Sequence, residues 1–177
     1  MKYKKRQKGF TLVEIAVVLV IIGLLLGGVL KGQEMIASSK VKSVTQSFDG
    51  IKAAYWAYRD RTGFYPANAA AVGDEDKQFW TDLREEGFVS GAGTDGPEHA
   101  LGGVFSYIPA NTASAQFTVS HICASEIANK TALSIDIKID NADASVDPIT
   151  GHSSGTVRFA GVYNKTSEDL GLLCMEL

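Results

Sequence analysis

Between Phe10 and Leu30 the chain runs for 21 residues with Glu14 as its only charged side chain. A helix rises ~1.5 Å per residue, so about 20 such residues span roughly 30 Å, the thickness of a bilayer's hydrocarbon core. Five positive charges (Lys2, Lys4, Lys5, Arg6, Lys8) and no negative ones precede the run. Lys and Arg on that flank favour a cytoplasmic N-terminus and place the remainder across the membrane. The competing explanation is a secretory signal peptide. It fits poorly, because the apolar stretch is long and no small-x-small site precedes a change in composition. Past Leu30 the chain keeps a helical pattern instead of breaking into a mature N-terminus.

Charge divides the chain further. From Gly63 onward there are 6 basic and 16 acidic residues, although the whole chain has a net charge of only -3. A basic head, an apolar run and an acidic body therefore make three physical regimes. A length of 177 residues with two cysteines excludes a multi-domain enzyme and a disulfide-dense mini-protein. With 45% hydrophobic and 21% charged residues, a wholly disordered chain is excluded as well. An acidic body repels phosphate, so nucleic acid is not expected as a partner.

Val41, Val44, Phe48, Ile51, Tyr55 and Tyr58 recur at alternating spacings of three and four, one apolar stripe on a helix. Lys40, Lys42, Gln46, Asp49, Lys52 and Arg59 fall off that stripe. The pattern predicts one nearly continuous helix from Phe10 to Arg61, ended by Thr62-Gly63 and roughly 80 Å long. No domain of this size buries such a helix. Its first half must be covered by membrane or by other copies, while the second packs its stripe on the body. Gly23, Gly27, Gly28 and Gly32 interrupt the apolar half, either to permit close helix packing or to mark where the helix loosens.

An ionised carboxylate in hydrocarbon is costly, which makes Glu14 a functional candidate by default. Lying at the headgroup interface is the alternative, and costs little. A functional Glu14 needs a positive partner, which the α-amino group of a neighbouring chain cut just upstream would supply.

Lys8-Gly9-Phe10-Thr11-Leu12-Val13-Glu14-Ile15 resembles the class III signal of type IV pilins and of the related type II secretion pseudopilins. The resemblance is firm over Met1 to Pro66 and loose beyond. It implies that a prepilin peptidase cuts after Gly9 and N-methylates Phe10. It also implies that Glu14 directs assembly, and that an inner-membrane platform assembles copies into a filament. One departure is that many pilins carry a proline within the apolar helix, where this chain has glycines. The implied fold is α+β and pilin-like, a long N-terminal helix packed on a C-terminal antiparallel sheet. The organisation then reads as a cleaved leader at 1–9, a membrane or filament-core half-helix at 10–32, an amphipathic half-helix at 33–62, and an acidic head at 63–177. The expected location is the bacterial inner membrane before assembly, then an extracellular pilus or a periplasmic pseudopilus.

In the head, Cys123 and Cys174 are either free thiols or a disulfide, which an extracytoplasmic location permits. A cysteine pair ending near the C-terminus also resembles the staple of many type IV pilins, and is less usual in pseudopilins. Phe79, Trp80 and Leu83 suggest a short helix ended by Gly87. Val104 to Ile108, Phe117 to Ile122, Thr156 to Tyr163 and Leu170 to Cys174 read as strands. Leu133 to Ile139 alternates and favours a strand, with a helix using Ile127, Thr131, Ile135 and Ile139 as the alternative.

Several apparent motifs fail on context. Gly91, Gly93 and Gly96 match GxGxxG, but Pro97 follows and no helix is expected there. His99, His121 and His152 lack metal or triad spacing. Asn141, Asp143, Ser145 and Asp147 alternate like a calcium loop without its glycine or distant glutamate, so a solvated turn is preferred. Cys174-Met-Glu-Leu177 mimics a prenylation box with Glu in an aliphatic slot. No catalytic constellation and no cofactor is expected. The rival class, a single-pass membrane enzyme or binding protein, predicts an uncut N-terminus and no polymer.

Overall fold

The structure is a computed structural model that describes residues 9–110, 119–140, 156–160 and 170–177. In chain order these form α1 (Leu12–Thr62), α2 (Glu75–Glu85), β1 (Phe105–Ile108), β2 (His121–Ala128), α3 (Asn129–Asp140), β3 (Val157–Ala160) and β4 (Leu170–Glu176). The chain divides into two compact units, Met1–Ser39 and Lys40–Leu177. In the first, the described residues are the start of α1 and the three residues before it.

In the second unit the strands pair antiparallel in the order β1-β2-β4-β3. The expected apolar stripe is what α1 buries: Val44, Phe48, Ile51 and Tyr55 all lie in the core. Phe48 meets Phe105 of β1 edge to face at 5.1 Å, and Tyr55 stacks at 6.3 Å on Phe79 of α2. Each large apolar side chain buried in this way contributes about 1.5–3 kcal/mol. Beyond α1, Gly63 takes a left-handed φ of 81°, and its N–H donates to the Arg59 carbonyl at 2.8 Å. A Cβ would oppose that conformation, so glycine ends the helix here.

Helix α2 buries Phe79, Trp80 and Leu83. It closes with a pair of bonds, Gly87 N–H to the Arg84 carbonyl and Phe88 N–H to the Leu83 carbonyl, around a left-handed Gly87. This is the Schellman arrangement, and it turns partly buried Phe88 back onto the core. The Arg61 side chain braces the same corner, donating to the Glu86 carbonyl and pairing with its carboxylate.

Asp76 joins α2 to the sheet. Its Oδ1 accepts the Trp80 indole N–H at 2.9 Å and the Tyr107 backbone N–H at 2.6 Å. Burial pushes the carboxyl above the ordinary aspartate range, while those two bonds pull it down. Because the folded value is raised, the titration of Asp76 favours folding most at acid pH, and that contribution declines as pH rises through the folded value. Asp76→Ala strands two buried donors and should cost about 2–4 kcal/mol. Urea unfolding of the variant checks this, and an unchanged midpoint would refute the bridge. Asp76→Asn should flatten the stability profile just above the usual aspartate range.

Two strand expectations need correction. Leu133 to Ile139 is not a strand but the body of α3. Asn129, Ala132, Ile135 and Asp136 are its buried positions, with Ile139 partly buried, and that three-four spacing is helical. Ile137, which alternation would bury, is 36% exposed. Second, the strand expected over Phe117 to Ile122 begins at His121 and runs on to Ala128. Its register slips between Ala124 and Ile127, where Glu126 has a left-handed φ of 56°. That bulge breaks the alternation by which the second half of the strand would have been recognised. Phe117, Gly161 to Tyr163, His152 and the turn from Asn141 to Asp147 lie outside the described residues.

Candidate functional site

Gly9, Phe10 and Thr11 precede the first helical residue and are exposed, Phe10 by 85%. The Gly9–Phe10 bond therefore lies outside the hydrogen-bonded helix. Thr11 caps α1 and Glu14 closes the cap. The Glu14 Oε2 accepts the Thr11 backbone N–H at 2.8 Å and the Thr11 hydroxyl at 2.7 Å. In return, Thr11 Oγ1 accepts the Glu14 backbone N–H at 3.3 Å. This reciprocal pair is the capping box, which satisfies two donors that a helix start otherwise leaves orphaned.

The arrangement changes the meaning of an acid at the head of an apolar helix. A carboxylate in the first turn also meets the positive end of the helix dipole. Among the described residues both accepted bonds fall on Oε2, so Oε1 is available to a further donor. The cap uses only groups of Thr11 and Glu14. Removal of everything before Phe10 would leave those groups intact and create an ammonium one residue ahead of the cap.

Beyond this turn the helix surface is apolar and uncovered: Leu24, Leu25 and Leu30 are all more than half exposed. By length and composition α1 is able to cross a membrane. Lys31 ends the apolar run and pairs with Glu34 at 2.7 Å.

Thr11 is the residue that the sequence reasoning passed over. Its signal was present, since Thr-x-x-Glu before an apolar run is the capping-box pattern. The remaining candidates lie in the second unit. Cys123 and Cys174 face each other directly across β2 and β4, both fully buried, and are joined as a disulfide. Gly91, Gly93 and Gly96 lie in a loop without a following helix. A Cβ on Gly96 would run into the Phe105 carbonyl, so that glycine serves close packing. His99 sits in the loop before β1, contacting the Ser125 carbonyl at 2.9 Å, and His121 begins β2. Among the described residues no cluster of three potential metal ligands occurs.

Residues 4–30 match the family model of the prokaryotic N-terminal methylation motif. Among solved structures, the chain is similar to the major type IV pilin PilA1 from Clostridium difficile, with 13% identity and a TM-score of 0.46. That alignment covers 80% of this chain and 96% of the pilin. A comparison with curated proteins finds no match.

Proposed function

We propose that this chain, which carries the prokaryotic N-terminal methylation motif, is a prepilin. Once processed, it is a structural subunit of a type IV pilus-like filament. The observation that carries the reading is the segment from Gly9 to Glu14: an exposed bond, a capped helix start, and one acid heading an uncovered apolar helix. Prepilin peptidase cuts between Gly9 and Phe10 and methylates Phe10. The retained helix then acts twice, first as an inner-membrane anchor with its N-terminus cytoplasmic, then as the core of a polymer.

Leaving lipid for a protein core gains little hydrophobic free energy, because both environments are apolar. Packing between helices, the pairing of Glu14 with a neighbour's Phe10 amine, and an inner-membrane assembly platform give the transfer its direction. The head lies outside the cytoplasm, where its buried disulfide persists. That disulfide favours a pilus subunit over a type II secretion pseudopilin, which has the same processing segment.

Intact mass and N-terminal sequencing of the exported protein test the reading. The expected chain begins at N-methylated Phe10 and is recovered from filaments seen by electron microscopy. Recovery of an intact Met1 would overturn it.

A further inference from the structure

Near the end of α1, Arg59 rests on two aromatic rings. Its guanidinium carbon lies 5.4 Å from the Trp56 ring centroid and 4.8 Å from that of Tyr65. The rings are held from below: Tyr65 stacks on buried Tyr55 at 5.2 Å, and Trp56 meets Tyr55 edge to face at 5.3 Å. Yet the platform faces solvent, with Trp56 37% and Tyr65 39% exposed. The ion pairs among the described residues are Lys31–Glu34, Arg61–Glu86 and Lys77–Asp74, so Arg59 has no carboxylate partner there. A cation–π contact uses the charge of a guanidinium but none of its hydrogen-bonding capacity, and the planar N–H fork matches a carboxylate.

A complementary surface is present on the same chain. Asp95 and Glu98 are exposed and belong to none of those ion pairs. Their loop is pinned from beneath, because Arg84 donates to the Gly93 and Asp95 carbonyls, each at 2.6 Å. Gly96 packs so closely on the Phe105 carbonyl that no Cβ fits. Two carboxylates are thus displayed on an ordered backbone, which lowers the entropic cost of docking.

We propose that the Trp56–Arg59–Tyr65 platform receives the Asp95–Glu98 loop of a second copy of this chain. The inference rests on the filament reading and names one contact that holds neighbouring heads together. The two surfaces differ, so the contact is heterologous, and head-to-tail contacts of that kind propagate as open helical arrays wherever the rotation between copies does not close a ring. Aromatic residues and arginine are the side chains that most often dominate such interfaces.

Charge exchange in the full-length chain, expressed with its assembly machinery, tests the pairing. Arg59→Glu should reduce sheared surface filaments at least about tenfold, and so should Asp95→Arg combined with Glu98→Arg. Processing at Phe10 should stay at the wild-type level in both. Both should still unfold cooperatively, with the melting temperature lowered by only about 2–8 °C as the contacts of Arg59 with its rings, or of Arg84 with the loop, are weakened. Combining all three substitutions should restore most of the filament yield. Wild-type filaments that persist unchanged in the single-surface variants overturn the proposal and leave the filament reading standing. Failure of the combination to improve on its parents also overturns it, and points to another occupant such as a glycan carboxylate. A wild-type chain that forms no filament overturns both.

Discussion

Replacing Cys123 and Cys174 together by alanine should lower the stability of the head by about 4 kcal/mol, the loop-closure entropy that returns to the unfolded chain. The disulfide closes a separation of 51 residues, and both sulfurs are fully buried between β2 and β4. Alanine is the informative substitution, because serine would add the cost of a buried hydroxyl without an assured partner. For a head of this size the loss should appear as a fall in melting temperature of roughly 10–20 °C. Differential scanning calorimetry of the two proteins measures it. A shift of only a degree or two would mean that β2 and β4 are held by their ladder alone. The position supports the larger figure. Directly opposite cysteines pin the register at the centre of the sheet, next to the slip between Ala124 and Ile127 that otherwise loosens it.

The same contrast explains which parts of the fold the sequence made legible. The stripe on α1 was readable because its period persists from Val41 to Tyr58, longer than a strand sustains any pattern. Helix α3 was not, because Leu133, Ile135, Ile137 and Ile139 satisfy a period of two. Only the burial of Ala132, Ile135 and Asp136 shows which face the core covers. The end of α2 was readable from Gly87, whose positive φ is a local requirement. The Arg59 platform was invisible for the opposite reason. Tyr65 lies beyond Gly63 and reaches Arg59 only after the chain has turned at the end of α1. At the N-terminus, Glu14 stood out because its environment is hostile to charge, whereas Thr11 needed the capping pattern to be sought. Chemistry that is local, or costly in its surroundings, leaves a trace in the sequence. Chemistry assembled by tertiary packing does not.

Glu14→Ala should give a chain that inserts in the membrane and is processed, but forms essentially no filaments. Insertion should survive because an acid within an apolar helix opposes partitioning by up to about 3 kcal/mol, so its removal does not weaken anchoring. The capping box is lost as well, a change of about 0.5–2 kcal/mol confined to the first turn of a 51-residue helix. A capping defect and a charge defect predict different series. Gln is accepted in a capping box, so Glu14→Gln keeps the bonds from the Thr11 N–H and hydroxyl and removes only the charge. Thr11→Ala does the reverse, removing the hydroxyl that donates to Glu14 while keeping the charged carboxylate, still held by the backbone N–H of residue 11, to meet an ammonium. If Glu14 acts by pairing with the Phe10 amine of a neighbouring subunit, Glu14→Gln should fail as completely as Glu14→Ala. Thr11→Ala should then assemble more slowly but still assemble. Equal loss in Thr11→Ala and Glu14→Gln would assign the acid to shaping the helix start. Normal filament numbers from Glu14→Ala would remove it from assembly altogether. Membrane fractions and electron-microscopic counts on the same cultures separate these outcomes, because the proposed pairing would act after insertion, whereas an insertion defect would already show in the membrane fraction.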